Sequence, residues 1–197
     1  MNLQKLFELQ KQLDEHIYEE HPVQDGEDRL AKKILALQVE LGELANEWRG
    51  FKYWSKDQEP RIKDYKQTKC KWCNGSGDDG TGVCPDCRCE GDVYKEYNPL
   101  LEEYVDCLHF ILSIGLEMET KKEWGHSFKI GSSIISQFHA LFGELSSLFY
   151  YNQMYNYQRA FDLLIGLGEM LGFTWEQIEQ SYLQKNRINH EQQNNGY

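Results

Sequence analysis

No uncharged apolar run in this chain reaches the roughly 20 residues needed to cross a membrane. The opening Met1-Asn-Leu-Gln-Lys5 lacks the apolar core of a secretory signal and runs directly into an amphipathic pattern. Basic residues are in deficit: 21 Lys and Arg face 32 Asp and Glu, a formal net charge of −11. Such a surface repels nucleic acid and anionic lipid, so neither is an expected partner. A small anionic ligand can still bind where metal and local cations offset the field. These absences predict a soluble, cytoplasmic protein. The length of 197 residues suits one domain carrying an insertion.

What the chain does contain is acidic pairs inside apolar helices. In Ile34 to Trp48, apolar residues recur at helical spacing: Ile34, Leu37, Leu41, Leu44, Ala45 and Trp48. Glu40 and Glu43 interrupt that helix three residues apart, so they share a face. Glu103 and Asp106 repeat the arrangement on a second apolar helix. A lone pair of this kind is usually a solvated helix face. Two pairs on two helices that read as buried need partners. Facing helices would crowd four carboxylates together, each raising the others' pKa. A hard divalent cation removes the conflict, and Mg²⁺ takes oxygen ligands of this type.

From Lys56 to Tyr97 the chain turns charged, Gly-rich and poor in aliphatic residues. Here stand Cys70-Lys-Trp-Cys73 and Cys84-Pro-Asp-Cys87, two C-x-x-C pairs separated by ten residues. The spacing predicts a closed tetrahedral Zn²⁺ site, since clustered cysteines in a reducing compartment favour metal over disulfides. Glycines after each pair allow turns that aim amides at sulfur. The Cys70 block resembles the knuckles of DnaJ-type zinc modules. Cys89 reads as a spare thiol or an exchanged ligand. A segment this short cannot build an apolar core, so metal must order it. The division is a discontinuous helical domain, 1–61 and 97–197, around a zinc-binding insertion, 62–96.

The remaining pattern predicts about six helices: 3–17, 28–49 ended by Gly50, 98–122 with Pro99 in its first turn, 127–151, 154–171, and a last one opened by a Thr174/Gln177 capping box. On the last helix, Lys185 and Asn189 lie one turn apart, suited to phosphate oxygens. Between Phe128 and Tyr157 stand eight Phe and Tyr rings, Phe128, Phe138, Phe142, Phe149, Tyr150, Tyr151, Tyr155 and Tyr157. A bundle of this size has limited interior for them, so the stretch predicts a subunit interface.

Glu-x-x-Glu followed by Glu-x-x-Asp resembles the all-α nucleoside triphosphate pyrophosphatases of the MazG-like superfamily. The blocks Leu41 to Ser55, Glu102 to Phe110, Tyr182 to Asn189 and Gly196-Tyr197 resemble one branch of it, the dimeric dUTPases. The resemblance implies an all-α MazG-like bundle, a homodimer, and hydrolysis of dUTP to dUMP and diphosphate. It implies two or three Mg²⁺ ions on Glu40, Glu43, Glu103 and Asp106, with Glu40 or Glu43 as base. It implies that Gln10, Asp14, Trp54, His109 and Phe110 meet the base, and that Lys185 and Asn189 hold phosphate. The branch has Arg two residues after Asn-His, where this chain has Gln192; Arg187 and Arg159 are the replacement candidates. Two other readings stand beside this one. The substrate could be dCTP or a modified pyrimidine triphosphate, or the chain could be a non-catalytic module whose zinc insertion contacts a protein.

Overall fold

The computed structural model describes residues 2–88, 90–120 and 125–196. Cys89, Tyr197 and the last two residues of the helix expected over 98–122 lie outside the described residues. Six helices and one strand pair follow in the order α1 Leu3–Glu20, α2 Arg29–Trp48, β1 Asp64–Lys69, β2 Asp92–Tyr97, α3 Pro99–Glu117, α4 Ile134–Tyr151, α5 Met154–Met170 and α6 Trp175–Asn194. Among the described residues no helix is long and apolar enough to cross a membrane.

The middle helix is the axis. α3 is apolar nearly all round, and it buries Tyr104, Val105, Cys107, Leu108, Ile111, Leu112 and Ile114. A helix of that kind belongs inside a bundle; α3 packs against α1, α2, α5 and α6, while α4 packs against α5 and α2. Two glycines on α3 and α5 permit close approach of buried tyrosines. A Cβ at Gly115 would meet the Tyr157 hydroxyl at 2.1 Å, and one at Gly168 would meet the Tyr104 hydroxyl at 2.5 Å.

Helix ends follow local chemistry. Asn98 caps α3 by accepting from Leu101 N, with Pro99 in the first turn. Thr174 and Gln177 form the reciprocal capping box of α6. The end of α2 differs from expectation. Arg49, not Gly50, takes the left-handed position at φ 63°, and its guanidinium is bound to the Asp57 carbonyl at 2.9 Å and carboxylate at 3.0 Å. Those bonds offset the cost of a non-glycine residue there. α4 begins at Ile134 rather than 127. Ser133 caps it, and the buried Gln137 amide holds the preceding chain off the helix by bonds to Phe128 O, Leu163 O and Ile130 N.

The strand pair was not expected from composition. Both strands are largely exposed and carry no apolar alternation to announce them. They pair antiparallel from Asp64 opposite Tyr97 to Lys69 opposite Asp92, and lead to and from the four cysteines. The aromatic stretch divides. Phe138 and Tyr157 belong to the core, whereas Phe149, Tyr150, Tyr151 and Tyr155 are exposed.

Candidate active site

α2 and α3 lie side by side, and along their seam Leu37, Leu41 and Leu44 of α2 and Leu100 and Leu108 of α3 are buried in one core. Glu40 and Glu43 leave α2, and Glu103 leaves α3, at the edge of that seam. One carboxylate oxygen from each lies within 4.8 Å of the others. Burial, then Asp106 and Glu43, raise Glu40 to about 7. Burial, then the same two neighbours and Glu40, raise Glu103 to about 7. Three hard oxygens whose charges oppose one another form a donor set that fits Mg²⁺. Asp106 stands beside this group but is turned to a lysine: Lys185 Nζ donates to Asp106 Oδ2 at 2.7 Å. Burial still raises the Asp106 carboxyl above its usual range, against Lys185. Lys185 is thus engaged with carboxylates, Glu102 at 3.7 Å included.

One turn further along α3, a buried polar cluster joins α1, α3 and α6. Gln10 Nε2 donates to Asp14 Oδ1 at 2.7 Å, and Ser113 Oγ donates to Asp14 Oδ2 at 2.6 Å. Lys33 Nζ lies 3.6 Å from the same carboxylate. Asp14 therefore acts as acceptor, which fixes the direction of the Gln10 amide. Its Oε1 then faces Tyr182 Oη and His109 Nδ1, each at 2.8 Å. Burial, then Lys185, lowers His109 to about 3, so the ring is neutral at neutral pH. A neutral ring with Nδ1–H donating to Gln10 keeps a bare lone pair on Nε2. That atom is buried without a partner, and so is Asn186 Nδ2 on α6. His109 stacks on Tyr182 with centroids 4.0 Å apart.

Of the residues singled out from sequence, Gln10, Asp14 and His109 meet in this cluster, and Glu40, Glu43 and Glu103 meet at the seam. Phe110 is half-buried against the core, and Asn189 is half-buried on α6. Trp54 joins neither group. It is 65 % exposed in the turn after α2, in edge contact with Tyr53 and Phe51. Arg159 pairs with Glu144 and covers the Phe128 ring, and Arg187 is exposed. Sequence reasoning missed Ser113, Lys33 and Tyr182 as members of the polar cluster, and Asn186 as a buried polar side chain one turn from Tyr182 on α6. Ser113 follows His109 by four residues and Asn186 follows Tyr182 by four. That spacing on already suspect helices was the available signal.

The four cysteines converge separately. Sγ atoms of Cys70, Cys73, Cys84 and Cys87 all lie within 4.8 Å of one another, and all four residues are buried. Gly77 N and Gly91 N point at Cys73 and Cys87 sulfur from 3.2 and 3.3 Å, each from a glycine at φ 78°. Four soft donors with amides aimed at sulfur fit Zn²⁺ and leave no open coordination position.

No curated protein matches the chain. A family model described as dUTPase matches residues 2–68 and 92–197. The unmatched segment between them holds all four converging cysteines. On a match of that extent, carried by the helices that bring the carboxylates and the polar cluster together, the chain belongs to the all-α dUTPase family, a family of dUTP diphosphatases.

Proposed function

We propose that the protein hydrolyses dUTP to dUMP and diphosphate in a Mg²⁺-dependent reaction. The observation that carries this is one helix, α3, presenting a carboxylate cluster and a buried polar cluster side by side. Glu40, Glu43 and Glu103, with Asp106 beside them, hold the metal. Bound magnesium would screen the phosphate charge and make water at the site more acidic. Water attacks the α-phosphorus, the bond to the bridging oxygen breaks, and diphosphate leaves. Glu40 or Glu43 accepts the proton of that water.

The base lies toward His109 and Asn186. His109 Nε2 offers an acceptor to a ring N–H, and Asn186 Nδ2 offers a donor to a ring carbonyl. Gln10, Asp14 and Tyr182 set the direction of those bonds. Lys185 exchanges part of its carboxylate contacts for phosphate, with Asn189 beside it, and Phe110 walls the pocket. Trp54 reaches the base only if its exposed turn folds inward. The enzyme is a homodimer, and segment 62–96 is a zinc-ordered insertion in the helical domain. The test is steady-state hydrolysis of the four common dNTPs, dUTP and modified pyrimidine triphosphates with Mg²⁺. Preference for dUTP is expected, because buried groups left unpaired by the wrong base cost far more than a lost contact. Equal rates on purine triphosphates would end the base assignment, and no turnover of any dNTP would end the enzymatic reading.

A further inference from the structure

The strand pair does more than carry the cysteines. Among the described residues its strands pack mainly on each other, and they join the bundle at their base, where Arg61 N donates to Glu47 O and Arg61 O accepts from Leu100 N. Residues opposite each other in an antiparallel ladder share a face. One face thus carries Val93 with Thr68, Lys66 with Lys95, and Tyr97 with Asp64. Val93 packs on the cysteines at the far end. At the near end Tyr97 feels the charges of Glu102, Glu47 and Glu103. The face therefore looks from the zinc knuckle toward the carboxylate seam.

Lys66 and Lys95 are directly opposite on that face, a like-charge pair that disfavours the ladder unless an anion lies between. Lys66 Nζ is 2.6 Å from Glu102 Oε1 and lies 4.2 Å above the Tyr97 ring. Glu102 is shared with Lys185. Lys66 is half exposed and its ion pair to α3 is with Glu102, so it can swing to a new anion. A nucleoside triphosphate brings several negative charges to a seam that already holds five carboxylates, Glu40, Glu43, Glu102, Glu103 and Asp106. Arg159 is occupied elsewhere.

The geometry points to Lys66, with Lys95 beside it, as the cationic wall that holds the leaving diphosphate, positioned by the zinc-ordered insertion. This rests on the triphosphate reading above. The insertion then contributes to substrate binding through its inner face, although its metal is remote from the reaction.

The experiment titrates Mg²⁺-pyrophosphate and dUMP into the full chain and measures dUTP kinetics. Lys66→Ala is expected to weaken pyrophosphate binding by about tenfold and to raise the KM for dUTP by a similar factor, as loss of one charge-assisted contact does. dUMP inhibition stays unchanged. Lys66→Arg restores pyrophosphate binding. Glu102→Gln breaks the same ion pair but frees both lysines, so it tightens pyrophosphate. A Lys66 that merely anchors the strand pair makes Glu102→Gln and Lys66→Ala alike, which overturns the proposal. Unchanged pyrophosphate affinity in Lys66→Ala overturns it too, as does failure of arginine to rescue. Lys63→Ala, which removes a charge paired with Glu96, is the control that leaves binding intact. Wild-type protein that binds pyrophosphate through Lys66 yet turns over no dNTP would sink the dUTPase reading and leave this one standing.

Discussion

Replacing Glu43 by Gln separates stability from chemistry. Glu43 is exposed, but its oxygen lies within 4.8 Å of oxygens on Glu40 and Glu103. Unit charges at that distance repel by about 1 kcal/mol in water and about 3.5 kcal/mol at an effective dielectric constant of 20. Exposure puts the relevant value near the lower figure, and Glu40 and Glu103 are fully charged only well above 7, so at about pH 8 two relieved repulsions give about 2 kcal/mol. For a chain of this size that raises Tm by about 4–8 °C. The metal-free variant should therefore melt higher than metal-free wild type at low ionic strength. Turnover should fall about a thousandfold or more, since the lost charge is a metal ligand's. Added Mg²⁺ should stabilise wild type and leave the variant little changed. Calorimetry with and without Mg²⁺, beside dUTP hydrolysis, checks both halves. Near-wild-type turnover at saturating Mg²⁺ would refute the site, and a lower Tm without metal would refute the electrostatic account.

Three further outcomes are expected. Glu40 and Glu103 sit near 7 against an ordinary 4.5, so their contribution to metal-free stability is present below about pH 4.5 and is lost as pH rises through 7. Magnesium binds the ionised forms, so its Tm increment should be larger at about pH 8 than at about pH 5.5; equal increments would count against the cluster as the metal site. Elemental analysis of protein purified without chelator should find one zinc per chain, and zinc removal should disorder segment 62–96 and raise KM while kcat persists. Zinc-free protein, or collapse of kcat with the structure intact, would contradict that. Light scattering at micromolar concentration should give about twice 23.3 kDa, and charge substitution at Phe149 and Tyr150 should halve it; a clean monomer ends the dimer proposal.

The helices were legible because their cause is periodic. Ile34, Leu37, Leu41 and Leu44 mark a buried face, and Glu40 and Glu43 stand out as interruptions of it. The cysteine spacing was legible because metal ligation demands it. What escaped had causes that are not periodic. Gln137 shortens α4 through backbone acceptors on Phe128 and Leu163, contacts that no local pattern encodes. The strands are exposed and take their order from the ladder and the cysteines. Arg49 replaced Gly50 as the left-handed residue because Asp57 was eight positions away and out of view of any capping rule. Pairing of Lys185 with Asp106, and of Lys66 with Glu102, depends on contacts 79 and 36 residues apart. Spacing could nominate these charges but could not say which would meet.

α3 also explains why the two halves of the site belong together. Glu103, Asp106, His109 and Ser113 follow at steps of three, three and four, so they form one stripe along the helix. From Glu103 to His109 the rise is about 9 Å. That is a fitting span for a sugar between a phosphate at one end and a base at the other. The opposite side of the same helix is core, so neither end can shift without moving the bundle. The end of the stripe at His109 is held a second time from behind. Ser113 and Gln10 both donate to Asp14, and the resulting Gln10 orientation leaves His109 one tautomer. Asp14→Asn would let the amide turn over and exchange donor for acceptor at His109 Nε2. The expected loss is in preference among pyrimidines, with metal binding retained. A variant that keeps wild-type selectivity, as read by competing dUTP against dCTP in one reaction, would show that Asp14 does not set the direction of that network.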